Sequence, residues 1–235
     1  MTPTPRVACF HGGGSSASIF QVQCEALQRQ LSTELHFEFF EAPFERDAGP
    51  GVLPFFKYEK YGPYRTWFSK TKMRNGQMVE LADGRGGDGP VKGMEFGEGG
   101  VERVWRMIRG RDAELELDGR EDEMGEWVGV MGFSQGTRIV GGLLLDLQRR
   151  KEMGLFRPGD IDFRFGVLCM GSGPPMMSDL SHGTLYSFFF LVLSSICFQF
   201  LWSCFVVSPK HPSFSRSASP LFETIITSCI RHQVF

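Results

Sequence analysis

The sequence predicts an α/β fold with a mostly parallel sheet and helices on both faces, and three observations carry that prediction. RVACF (6–10) is an apolar run that ends in the glycines of HGGG (11–14) and is followed by a helical spacing of apolar residues. WVGVMG (127–132) is an unbroken apolar run, followed by a turn and a second helical stripe, and FRFGVLC (163–169) is a further apolar run after another turn. Strands that alternate with helices imply right-handed βαβ units and therefore parallel neighbours. A length of 235 residues suits one large domain of this kind.

Taken in order, the first strand covers Arg6 to Phe10, and a helix follows from Ile19 to Leu31 with apolar residues at 19, 20, 24, 27 and 31. HFEFFEAP (36–43) reads as a second strand stopped by Pro43. The stretch FERDAGPGVLPFFKYEKYGPYRTWF (44–68) has no steady period and is expected as a long surface excursion. DGRGGDGPVKGMEFGEGG (83–100) holds eight glycines, and with no strand leading into it the expectation is a flexible loop rather than a phosphate cradle. A helix is expected from Val101 to Ala113, with Val101, Val104, Trp105 and Ile108 on one face, and the acidic run Glu121, Asp122, Glu123, Glu126 should be solvated. After the strand at 127–132, Ile139, Val140, Leu143, Leu144 and Leu147 form one apolar stripe, and Arg149, Arg150 and Lys151 suit the negative end of that helix.

Composition narrows the function classes. With 25 basic and 27 acidic side chains the formal net charge is −2, and no basic stripe follows a phosphate backbone, so nucleic acid is not an expected partner. The six cysteines (9, 24, 169, 197, 204, 229) form no CxxC pair and no zinc spacing, which points to no metal site and to reduced thiols. MTPTPRVACF lacks the charged-then-apolar pattern of a signal peptide, so the expected compartment is the cytoplasm.

The chemistry centres on GFSQG (132–136). A serine hydroxyl is a weak nucleophile, and a sharp strand-to-helix turn helps by lifting it above the sheet, with glycine two before and two after because a Cβ there would collide with the turn. Gly132, Ser134 and Gly136 fit that need. The helix that follows offers the Gln135 amide and its dipole to an oxyanion. A second donor belongs on the loop after an early strand, where His11-Gly12-Gly13-Gly14 stands. His11 reads as a loop-shaping residue rather than the base, since the base in such an arrangement follows the nucleophile in the chain.

RVACFHGGGSSASIFQVQ, EAPFERDAGPGVLPFF, YGPYRTWF, GVMGFSQGTRIVGGLLL and FRFGVLCMGSGPP together resemble successive blocks of the fungal serine hydrolase (FSH) family of α/β-hydrolases, from about residue 6 to 177. The resemblance implies an α/β-hydrolase fold and hydrolysis of carboxylic esters or thioesters without any cofactor. It also implies a small-molecule acyl ester or thioester substrate, as several members belong to fungal polyketide gene clusters and act on an acyl chain made by a polyketide synthase. Carried over by position, it implies Ser134 as nucleophile and Gln135 with Gly12, Gly13 and Gly14 as the oxyanion hole. Pro54, Phe55, Phe56, Tyr64 and Trp67 would lie near the acyl pocket, or equally in ordinary core.

The resemblance stops near residue 177, so the expected organisation is a hydrolase domain at 1–177 and an atypical tail at 178–235, with the fold incomplete at its C-terminal end. The tail has 5 charged residues in 58, against 47 in the 177 before it, and 12 serines against 7. The family's triad acid and histidine blocks are not found there; Asp179, Glu223, His182, His211 and His232 offer no convincing pair, so both roles stay unassigned. SFFFLVLSSICFQFLWSCFVV (187–207) has no charge over 21 positions and is long enough to span a bilayer as a helix, though diluted by Ser194, Ser195, Gln199 and Ser203. Three readings stand: a tail foreign to the family through a retained intron or shifted frame, a membrane anchor, or a hydrophobic terminus packed into the fold. With the triad partners missing, the alternative function is a catalytically silent, membrane-associated scaffold.

Overall fold

The computed structural model describes residues 3–68, 70–72, 78–80, 100–119, 125–171, 173–180 and 204–207. In chain order the first elements are β1 (Arg6–Phe10), α1 (Ala17–Gln23), α2 (Glu25–Gln30) and β2 (His36–Phe40). The excursion contributes β3 (Phe44–Glu45), α3 (Tyr58–Tyr61) and β4 (Arg65–Thr66), and the backbone pair β5 (Lys70–Lys72) and β6 (Met78–Glu80) follows. The remaining elements are α4 (Gly100–Leu117), β7 (Trp127–Phe133), α5 (Gly136–Glu152), β8 (Phe165–Cys169) and β9 (Cys204–Val207).

The central sheet has the order β2-β1-β7-β8-β9. β1, β2, β7 and β8 run parallel, which is the expected mostly parallel sheet, while β9 lies antiparallel along the outer edge of β8 with Cys169 opposite Cys204. The inner strands β7 and β8 are uninterrupted apolar runs because both of their faces are covered, whereas the edge strand β2 carries His36 and Glu38. Alternation along β1 divides the core in two. Ala8 and Phe10 join Val130 and the inner stripes of α4 and α5 (Val101, Val104, Trp105, Ile108, Ile139, Val140, Leu143, Leu147) on one face. Val7 and Cys9 join Val128, Met131 and the α1–α2 residues Phe20, Cys24 and Leu27 on the other. Helices therefore cover both faces, as the sequence predicts.

Two expectations need correction. The helix expected from Ile19 to Leu31 is two helices, because Cys24 leaves helical geometry at φ −92°, ψ 4° and serves as the C-cap of one and the N-cap of the next. Ser16 starts the first by accepting the Ile19 N–H at 3.3 Å. The stretch 44–68, expected on the surface, instead contributes to the core. Trp67 and Phe68 are each 1% exposed and belong to the α4–α5 cluster, and Tyr64 packs with Ile19 and Val52. The order of this stretch comes from long-range hydrogen bonds, since β4 pairs antiparallel with β3 and Arg65 bridges to Ser15.

The expected helix at 101–113 is present and longer, and the stripe and basic end of α5 fall as read from the sequence. Cys9, Cys24 and Cys169 are buried thiols. The glycine-rich stretch 83–99 and the acidic run at 121–124 lie outside the described residues, as does 187–203 of the apolar tail segment. Among the described residues no helix is long and apolar enough to cross a membrane.

Candidate active site

The turn between β7 and α5 is a strained point of the chain. Ser134 has φ +49°, a left-handed conformation that costs a non-glycine residue about 1–2 kcal/mol, and only one other described non-glycine residue, Met170, has positive φ. The surrounding contacts enforce it. A Cβ on Gly132 would stand 2.3 Å from the Gly136 carbonyl oxygen, and one on Gly136 would stand 2.0 Å from the Phe10 carbonyl oxygen. The turn can therefore close only with glycine at both places. The Ser134 N–H donates to the Cys169 carbonyl at 2.9 Å, which fixes the turn to the end of β8. The Ser134 carbonyl accepts both the N–H (3.1 Å) and the hydroxyl (2.6 Å) of Thr137.

The glycine loop after β1 lies against this turn, because β1 and β7 are parallel neighbours and Phe10 is in register with Gly132. A Cβ on Gly12 would sit 3.4 Å from the Ser134 Cβ, and one on Gly13 would sit 3.1 Å from the Gln135 carboxamide. Gly14 adopts φ +75°, its N–H donates to the Arg65 carbonyl at 2.8 Å, and its carbonyl accepts the Gly49 N–H at 2.8 Å. Gly12, Gly13, Ser134 and Gln135 are thus brought together, while the Gly14 amide is engaged elsewhere.

His11 is fully buried, and both of its ring nitrogens have partners other than the serine. Nδ1 meets the Gly12 carbonyl at 2.8 Å, and Nε2 meets the Ala42 N–H at 3.1 Å and Glu41 Oε1 at 2.9 Å. The other described histidine, His36, opens β2 at the opposite end of the parallel sheet from Ser134, a separation of about 20 Å along a seven-residue strand. It pairs with Glu38 at 3.2 Å, which raises the His36 pKa and lowers that of Glu38, each mainly through their shared hydrogen bond. Among the described residues no imidazole reaches Ser134. Asp179 lies over the start of α4, where its N–H donates to Glu102 Oε1 at 2.9 Å; burial is the first cause of the raised Glu102 pKa. Glu223, His182, His211 and His232 are outside the described residues.

The aromatic residues divide. Tyr64 and Trp67 are core, Phe56 packs beside Tyr64 and Val52, and Phe55 is exposed at 67%. Sequence reasoning missed what Trp67 and its neighbours do to the glycine loop. The Trp67 indole N–H donates to the His11 carbonyl at 2.8 Å, the Arg65 N–H donates to the Ser15 carbonyl at 2.7 Å, and Gln135 Oε1 accepts from Trp67 N (2.9 Å) and Thr66 Oγ1 (3.0 Å). The partners in each of these bonds are fifty or more residues apart in the chain, and no local pattern announces them.

A left-handed serine between obligatory glycines on a strand-to-helix turn of a parallel sheet, with a glycine loop from the neighbouring strand beside it, defines the α/β-hydrolase class. Within that class the chain belongs to the serine hydrolase (FSH1) family, whose model matches residues 1–202. It is 34% identical over 191 residues to a probable esterase, afoC, of Emericella nidulans, covering 77% of this chain and 59% of that protein. It is 35% identical over 176 residues to a probable esterase, tazC, of Aspergillus terreus (74% of this chain, 57% of that protein). It is 36% identical over 179 residues to the esterase citA of Monascus ruber (74% and 58%). The matched regions span less than three fifths of each of these relatives.

Proposed function

We propose that the chain is a serine hydrolase of carboxylic esters or thioesters. The observation that carries this reading is Ser134, held at φ +49° at the end of β7 with the Gly12–Gly13 backbone packed against it. In the first step Ser134 Oγ bonds to the substrate carbonyl carbon as its proton passes to a base. The carbonyl oxygen becomes an oxyanion, facing the N–H groups of Gln135 and of the Gly12–Gly14 loop, with the α5 dipole behind Gln135. Within that loop Gly12 and Gly13 serve as donors in this reading, and Gly14, whose N–H is bonded to Arg65, sets the bend. Collapse of the intermediate breaks the C–O or C–S bond, the leaving alcohol or thiol takes the proton, and the acyl group stays on Ser134. Water then attacks the acyl-enzyme and releases the acid.

This chemistry needs an imidazole and its acid partner from outside the described residues, where His182, His211 and His232 are found. The esterase names of the relatives favour an ester bond as the one cleaved. A polyketide or other acyl chain of secondary metabolism, received from a polyketide synthase, is the finer reading and rests on the family resemblance.

A fluorophosphonate probe tests the assignment. The 235-residue chain is expected to be labelled and Ser134→Ala to remain blank; equal labelling of both removes Ser134 from the role. A chain that neither reacts with the probe nor hydrolyses a p-nitrophenyl ester is instead a silent hydrolase scaffold.

A further inference from the structure

We propose that the side chain of Gln135 is a positioning residue for the oxyanion hole, separately from any part its backbone N–H plays. This rests on the serine hydrolase reading above and adds to it the device that holds the donors in place. A single carboxamide oxygen, Gln135 Oε1, accepts from the Trp67 N–H at 2.9 Å and from the Thr66 hydroxyl at 3.0 Å. The same segment is laced to the glycine loop at three points: Trp67 Nε1 to the His11 carbonyl (2.8 Å), Gly14 N–H to the Arg65 carbonyl (2.8 Å), and Arg65 N–H to the Ser15 carbonyl (2.7 Å). The carboxamide also lies against Gly13, where an added Cβ would meet its carbon, nitrogen and oxygen all at 3.1 Å. The result is a closed circuit, from the residue after the nucleophile, through its side chain to residues 65–67, and from there back to the loop that faces the nucleophile.

Two members of the circuit are buried, Thr66 at 3% and Trp67 at 1% exposed, while Gln135 and Arg65 are half-buried. If Oε1 is removed, the Trp67 N–H loses its acceptor and the Thr66 hydroxyl keeps only its longer 3.5 Å contact to the Phe68 carbonyl, so the segment must shift or open to satisfy the N–H. A shift at 65–67 is passed to His11 and Gly14, on either side of Gly12 and Gly13. Oxyanion donors act only within a few tenths of an ångström of the developing charge, so such a shift lowers the rate of the chemical step more than it weakens ground-state binding. Any residue but proline at position 135 supplies a backbone N–H. Only one with an acceptor at the reach of glutamine supplies the clamp, and substitution therefore separates the two roles.

The test compares the full chain with Gln135→Leu, Gln135→Asn and Gln135→Glu. Leu fills the space without an acceptor, Asn is one methylene short of Trp67, and Glu keeps an oxygen in place. With active sites titrated by fluorophosphonate burst, kcat on p-nitrophenyl acetate is expected to fall about 10–100-fold in the Leu and Asn variants, with KM changed less than about threefold. Hydrogen exchange at the Trp67 and Gly14 amides should be at least about tenfold faster in those two and native-like in Gln135→Glu. Should the Leu variant fail to fold, the Asn variant carries the comparison. Native exchange at Trp67 and Gly14 in the Leu or Asn variant overturns the proposal, as does a loss confined to KM or to the fraction of titratable sites. A native chain without labelling or turnover defeats the serine hydrolase reading alone, and the exchange measurement still decides whether the carboxamide holds the loop.

Discussion

Ser134 occupies the left-handed region not by preference but because Gly132, Gly136 and Cys169 leave the backbone no other path. A non-glycine residue there carries strain of about 1–2 kcal/mol, and relief of it outweighs the extra chain entropy that glycine loses on folding, about 0.5–1 kcal/mol. Ser134→Gly is therefore expected to be more stable than Ser134→Ala by about 0.5–1 kcal/mol, the reverse of the order found in ordinary helix or strand positions. Urea unfolding of the two variants gives the difference directly, and an alanine variant more stable than the glycine one by about 0.5–1 kcal/mol would show that the turn is unstrained. The motif around Ser134 was legible in the sequence because its constraint is local: five consecutive residues make the turn, and two of them must lack a Cβ. The partners of Gln135 were not legible, since Thr66 and Trp67 precede it by 69 and 68 residues and carry no motif of their own.

At the scale of elements, β1, β7 and β8 could be read from their composition because strands covered on both faces need unbroken apolar runs. The break between α1 and α2 could not. Position 24 is a cysteine that fits the apolar spacing, and neither glycine nor proline marks the change of direction. The stretch 44–68 misled for the opposite reason, as it has turn residues throughout and gains its order from β1 and the glycine loop rather than from a period of its own. Strand β2 carries a prediction about pH. The His36 pKa is raised from 6.5, so its contribution to stability is full below about that pH and is lost as pH rises through the higher folded value. The Glu38 pKa is lowered from 4.5, so its contribution is present above about that pH and is lost as pH falls through the lower folded value. The pair therefore stabilises β2 most between those two values. Both side chains are partly exposed, and solvent screening limits the effect to about 0.5 kcal/mol. Subtracting the pH profile of His36→Gln from that of the native chain should leave a plateau between about pH 4.5 and 6.5 that declines on both sides; a flat difference would mean the pair contributes nothing.

For the molecule as a whole, the site exists because one sheet is packed from both sides. The α4–α5 cluster presses Phe10 and Val130 from one face, and the α1–α2 cluster presses Cys9 and Met131 from the other, so the ends of β1 and β7 are held side by side with their loops touching. β1, β7 and β8 each supply residues to both clusters, which leaves neither face able to unfold without exposing the strands that the other needs. Two substitutions on opposite faces test this coupling. Leu27→Ala in α2 removes most of a side chain that is 4% exposed and should cost about 3 kcal/mol, while Ile139→Val in α5 removes one buried methyl and should cost about 1 kcal/mol. The residues share no cluster, so the double variant should lose the sum to within about 0.5 kcal/mol. The transition should remain single, with tryptophan fluorescence and far-UV circular dichroism giving one midpoint. Two separated midpoints in the Leu27→Ala variant would show that the α1–α2 layer comes away by itself, and the glycine loop that follows β1 would then be free of the serine turn while the rest of the sheet stays folded.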